Sequence, residues 1–171
     1  MIGAKFEDGR LQLDPETGVA SDWQISDDGL TWEFTIKDGV TFHDGSKLDV
    51  EDVEFSWNWG ISEEATGVST VRLARQVVDQ GVTGPNTYQV TTQEPLGFFA
   101  TAVSEIDNLS TGSIIDKDHW MSLEAQDPPA NCTPEEICAR ERSFEANPGP
   151  GMAGAYNVTS HVSSEKFVHE R

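Results

Sequence analysis

The 171-residue chain contains no run of about 18 apolar residues, so no segment reads as a membrane-spanning helix. Basic residues are few: 11 Lys and Arg stand against 30 Asp and Glu, for a net charge of −19. A chain so charged repels phosphate backbones, which argues against nucleic acid as a partner. Cysteine is scarce. Cys132 and Cys138 are too few for a Cys-only zinc site. Either they form a local disulfide, which fits an oxidising compartment, or they are two free thiols. No G-x-S-x-G, Walker loop or H-E-x-x-H occurs. Met1 to Phe6 has no apolar signal-peptide core. The expectation is that the true N-terminus lies further upstream.

What is present fits a globular domain. Hydrophobic residues make up 36% of the chain, and five Trp and eight Phe supply core anchors. The acids are spread along the chain, which reads as a strongly solvated surface or as adaptation to high salt. Sequons begin at Asn108, Asn131 and Asn157, weak support for an extracytoplasmic location.

Leu11 to Ser21 reads as extended loop and Ser26-Asp27-Asp28-Gly29 as a turn. Trp32, Phe34 and Ile36 alternate with polar neighbours, so 31–37 reads as a half-buried strand. Val40 to His43 reads as a second strand, paired with the first as a hairpin across Asp38-Gly39. A helix follows. Asp49 is its N-cap, Asp52 suits the helix dipole, and Val50, Val53 and Trp57 form its apolar stripe, widened by Phe55 and Trp59. The spacing suggests a weak helix over 68–78, a strand over 86–92, a short helix within 95–103, a helix over 133–144 and strand-like stretches within 156–168.

Two constellations invite a chemical reading. His43-Asp44 resembles part of a metal or phosphohydrolase site, but His119, His161 and His169 add no ligand spacing. Ser163-x-x-Lys166 matches a nucleophile spacing without its companion motifs. The plainer reading is a turn at Asp44-Gly45 and a chance tetrapeptide. Composition and spacing therefore give an acidic, mixed α/β (α+β) protein with no visible catalytic residues and no metal or cofactor site.

Specificity enters with one ordered stretch. It runs Ala20-Ser21-Asp22-Trp23, Ser26-Asp27-Asp28-Gly29-Leu30-Thr31-Trp32-Glu33-Phe34, Lys37-Asp38-Gly39-Val40-Thr41-Phe42-His43-Asp44-Gly45 and Leu48-Asp49-Val50-Glu51-Asp52-Val53-Glu54-Phe55-Ser56. This resembles the signature of the family 5 extracellular solute-binding proteins, the oligopeptide, dipeptide and nickel-binding components of ABC importers. Glu94-Pro95 through Phe98-Phe99 and Gly154-Ala155-Tyr156 fit the family's pattern more loosely. Lys47 stands where the family usually has Pro, and Cys132 to Asn147 looks like an insertion.

The resemblance implies a fragment of a type II periplasmic-binding-protein-like fold. Residues 1–115 would be the accessory small domain, and 116–171 a segment of the first large lobe. It implies a peptide or other small solute as ligand and a membrane ABC permease as partner. It also implies a periplasmic or cell-surface location, lipid-anchored in the full-length protein, and no enzymatic activity. Glu105, Asp107, Asn108 and Ser110 are the nominated ligand-binding residues, with Thr70 in the loop 66–70. The alternatives are a nickel or sugar binder on the same scaffold, an acidic adhesion β-module, or a hydrolase using Ser163 or His43.

Overall fold

A computed structural model describes residues 1–61, 73, 75–103, 114–122, 157–162 and 166–170. The chain divides into two compact units. One comprises Met1–Asp38 and Asp49–Ile114, the other Gly39–Leu48 and Ile115–Arg171.

The first unit begins with a hairpin, β1 (Gly3–Glu7) and β2 (Arg10–Asp14), antiparallel across Asp8-Gly9. The loop expected at 11–21 is thus strand at 11–14 and again at 20–21, with only 15–19 outside a strand. Asp-Gly between short strands is a strong hairpin signal, because both residues tolerate the positive φ that such a turn demands, and here φ is 52° and 75°. The chain start is pinned: Ile2 N–H donates to Val103 O, and Val19 N–H and Ala20 N–H both donate to Met1 O. Lys37 Nζ closes the loop after β2 by donating to the carbonyls of Glu16 and Gly18, at 2.8 and 2.7 Å.

A four-stranded antiparallel sheet follows, in the order β3 (Ala20–Ile25), β4 (Thr31–Ile36), β6 (Thr87–Thr92), β5 (Val77–Gly84). The alternation in β4 does what its period implies, burying Trp32, Phe34 and Ile36. β6 buries Tyr88, Val90 and Thr92. The register sets Trp32 opposite Val90 and Phe34 opposite Tyr88, so one face carries the core. Val77 and Val78 belong to β5, not to a helix; β-branched side chains suit a pleated surface. The rest of the expected 68–78 helix lies outside the described residues except Leu73, Arg75 and Gln76.

Helix α1 (Val50–Gly60) starts as its sequence demands. Asp49 Oδ1 accepts from Glu51 N–H at 2.8 Å, and Asp52 Oδ2 accepts from Asp49 N–H at 3.0 Å, a reciprocal capping box. The helix lies against β5 and β6. Val50, Val53 and Trp57 are buried, and the stripe widens toward Asp52 and Ser56, whereas Phe55 and Trp59 are only half-buried. Trp57 packs on Tyr88 and on Phe99, ring centroids 6.0 and 6.1 Å apart. Phe99 opens the short helix α2 (Phe99–Ala102) and also packs on Trp32 at 5.0 Å.

The second unit holds the correction to the expected hairpin. Val40 to His43 is not a strand beside β4, because both edges of β4 are already occupied, by β3 and β6. Gly39–Leu48 folds back on itself instead. Leu48 N–H donates to Val40 O, Thr41 bridges to Lys47, and Phe42 N–H donates to Ser46 O. Phe42 and Leu48 are buried. Helix α3 (Lys117–Ser122) buries Trp120. Strands β7 (Asn157–Val162) and β8 (Lys166–Glu170) pair antiparallel, matching the strand-like stretches seen in the sequence. The expected helix over 133–144 and both cysteines lie outside the described residues.

Candidate functional site

Glu105, Asp107, Asn108, Ser110 and Thr70 all lie outside the described residues; what the structure defines is the stems from which their segments spring. The stem before 104 is α2 and Val103. Phe99 and Val103 are fully buried, and Val103 N–H donates to Phe99 O at 3.1 Å. The stem before 62 is the end of α1, where Ile61 N–H donates to Trp57 O at 3.0 Å. The chain re-enters through buried Leu73, whose carbonyl accepts from Gln76 N–H. Gln93 fixes that re-entry, its Nε2 donating to Arg75 O and to Gln76 Oε1. The described residues that flank both nominated segments are therefore packed and hydrogen-bonded.

The second constellation is built from Asp44, Ser46, Asp116 and His119 in the second unit. Asp44 Oδ1 accepts from Ser46 N–H at 2.8 Å and lies 2.6 Å from Ser46 Oγ. Ser46 Oγ is also 2.8 Å from Asp116 Oδ2, so one hydroxyl proton serves two carboxylates. Asp116 is buried, and its Oδ1 accepts from His119 N–H at 2.8 Å, capping α3. The Ser46 hydroxyl and amide, helped by His119 nearby, hold the Asp44 carboxyl below the usual carboxylate range. The Ser46 hydroxyl is thus held between carboxylate acceptors, and within the second unit the group ties the 39–48 segment to the segment at 115–122. Asp116 was legible as a helix N-cap three residues before His119, a signal the sequence reading passed over. Among the described residues no group of three or more His, Cys, Asp or Glu is arranged to hold a metal ion. Ser163 lies outside the described residues, and Lys166 begins β8.

The residues from Ala20 to Ser56 that carry the family resemblance serve as architecture. Ser26 and Asp28 form a hydrogen-bonded turn at 2.6 Å, Trp32 and Phe34 are core, Phe42 and Leu48 are core, and Asp49 and Asp52 are caps. The model of the bacterial extracellular solute-binding proteins, family 5, matches residues 14–171. The chain belongs to that family. The family 5 chain is 42% identical to the oligopeptide-binding protein OppA of Bacillus subtilis over 48 residues, which is 28% of this chain and 9% of that protein. It is 28% identical to the glutathione-binding protein GsiB of Salmonella paratyphi A over 102 residues, 57% of this chain and 20% of that one. Among solved structures it is similar to the ABC transporter-associated periplasmic binding protein DppA from Helicobacter pylori in complex with peptide STSA. That similarity has a TM-score of 0.67 at 20% identity and covers 98% of this chain and 32% of the other. The likeness fixes the fold as that of the type II periplasmic binding proteins. The family 5 chain spans a third or less of each of these proteins.

Proposed function

We propose that this chain serves, within the complete protein, to bind a peptide-class solute outside the cytoplasm and deliver it to an ABC-type permease. The observation that carries the reading is the family match over 14–171, supported by relatives named for oligopeptide and glutathione binding. Residues 1–115 would form the accessory small domain and 116–171 part of the first large lobe. Glu105, Asp107, Asn108, Ser110 and Thr70 would border the ligand from segments anchored at Val103, Ile61 and Leu73. Peptide capture needs main-chain hydrogen bonds and charge partners for the termini, which such polar residues supply. No reacting group is required, and the protein is not an enzyme. A lipid anchor would hold it at the membrane face where the permease lies. Function then follows from domain closure selected by the ligand.

Thermal unfolding of the intact protein tests this. A ligand at about 100 times its Kd stabilises by about 2.7 kcal/mol. A mixed di- to pentapeptide library should raise the melting temperature, and nickel salts and simple sugars should not. A rise with nickel or a sugar and none with peptides would replace the peptide reading.

A further inference from the structure

Four Asp-Gly pairs occur in the chain, at Asp8-Gly9, Asp28-Gly29, Asp38-Gly39 and Asp44-Gly45. All four glycines take positive φ, between 74° and 89°. Hydrogen bonding nevertheless divides the four into two classes. Asp28 Oδ1 accepts from Ser26 Oγ at 2.6 Å and from Leu30 N–H at 3.1 Å, while Gly29 N–H donates to Ser26 O at 2.8 Å. Asp44 Oδ1 accepts from Ser46 N–H and Oγ, while Gly45 N–H donates to Phe42 O at 3.0 Å. Asp8 and Asp38 are exposed. Among the described residues, neither carboxylate accepts a hydrogen bond, and neither the Gly9 nor the Gly39 N–H meets an acceptor.

We propose that Asp8 and Asp38 are sites of spontaneous isoaspartate formation, from which the fold protects Asp28 and Asp44. The reaction needs a neutral side-chain carboxyl and the nitrogen of the following glycine. That nitrogen attacks Cγ, a C–N bond forms, and the C–OH bond breaks. The hydroxyl leaves with the amide proton as water, giving a five-membered succinimide. Water then reopens the ring at either carbonyl, giving aspartate or isoaspartate. No oxidant, reductant or cofactor enters.

Each structural difference acts on one partner of that reaction. A glycine N–H bound to a carbonyl keeps its amide in the plane of the turn and away from Cγ. A carboxylate held by two donors cannot rotate toward the glycine nitrogen and stays ionised, the poorer electrophile. Consistently, these donors hold the Asp28 and Asp44 carboxyls below their ordinary value. Asp38-Gly39 is also the covalent link at which the first compact unit hands the chain to the second, so isomerisation there adds a backbone carbon to that link. At Asp8-Gly9 it falls in the two-residue turn that sets the β1–β2 register.

The test is warm incubation of the folded 171-residue chain at mildly acidic pH, with peptide mapping by fragmentation mass spectrometry and isoaspartyl methyltransferase labelling. Isoaspartate should accumulate several-fold faster at Asp8 and Asp38 than at Asp28 and Asp44. In urea the four rates should converge, and Ser26→Ala should raise the native rate at Asp28. Equal native rates, faster reaction at Asp28 or Asp44, or an unchanged order of rates in urea would each overturn the assignment, the last by tracing the contrast to local sequence.

Discussion

Trp57 shows how one residue joins the helix to the sheet. It is 2% exposed, packs tilted against Tyr88 of β6 and stacks on Phe99 of α2. Trp57→Ala would leave a cavity between the Tyr88 and Phe99 rings, and should cost about 3–5 kcal/mol in urea unfolding. A loss below about 1 kcal/mol would mean that the ring is not a core element. Tyr88 adds a titration. Its hydroxyl donates to Gln80 Oε1 at 2.9 Å, and burial, with the Glu54 charge as a lesser cause, pushes the phenol above its ordinary value of 10.0. The unfolded chain gives up this proton near pH 10 while the folded chain keeps it, so below that pH the group is neutral in both states. Above it the unfolded state binds fewer protons, and stability must fall as pH rises. Unfolding midpoints measured between about pH 9 and about pH 11 should decline, and Tyr88→Phe should flatten the decline. An equal slope in the variant would remove Tyr88 from the account.

Among the elements, α1 is the one whose sequence left least freedom. Asp49 as N-cap, the carboxylate at Asp52, and Val53 and Trp57 on one face all point the same way, and the helix runs Val50–Gly60 as expected. Asp49→Ala removes the acceptor for Glu51 N–H and should cost about 0.5–2 kcal/mol, whereas Asp49→Asn should retain most of it. Equal losses in the two would assign the effect to charge, not to capping. The strands at 31–36 and 87–92 were legible for a similar reason, since alternation survives whatever the partner strand is. The β1–β2 hairpin was missed although Asp8-Gly9 announces it and Arg10 to Asp14 alternates polar and apolar residues, because that short alternation runs directly into the Pro/Gly-punctuated stretch up to Ser21. The misplaced 40–43 strand has a different cause. Val40 to His43 has strand propensity, but pairing depends on which sheet edges are free, and β4 has none. Nothing in the local sequence of Phe42 or Leu48 records which core receives them.

For the whole molecule, the family was legible because the residues that carry its signature here are turns, core residues and caps, whose types the local structure constrains. The same fact explains why the ligand was not. The nominated Glu105, Asp107, Asn108, Ser110 and Thr70 fall in stretches of sequence with no apolar periodicity to constrain residue type, and they lie outside the described residues. The net charge of −19 acts at this scale also. Like charges on a compact surface repel, and salt shortens the range of that repulsion from about 14 Å at 0.05 M to about 3 Å at 1 M. The melting temperature should therefore rise over that interval. A flat or falling curve would show that self-repulsion does not limit stability.

The central proposal is that these residues furnish scaffold and the border of a peptide site, whose remaining enclosure lies elsewhere in the complete protein. Small-molecule sites bury about 70–90% of the ligand surface, which a bordering domain cannot do alone. Calorimetric titration with a mixed di- to pentapeptide library, run side by side on the intact protein and on the isolated 171-residue chain, tests this most directly. The intact protein should saturate, and the isolated chain should show no saturable binding tighter than about 10 μM, a level that requires about 7 kcal/mol of net interaction. Tighter binding by the isolated chain, or no peptide binding by the intact protein, would contradict the account.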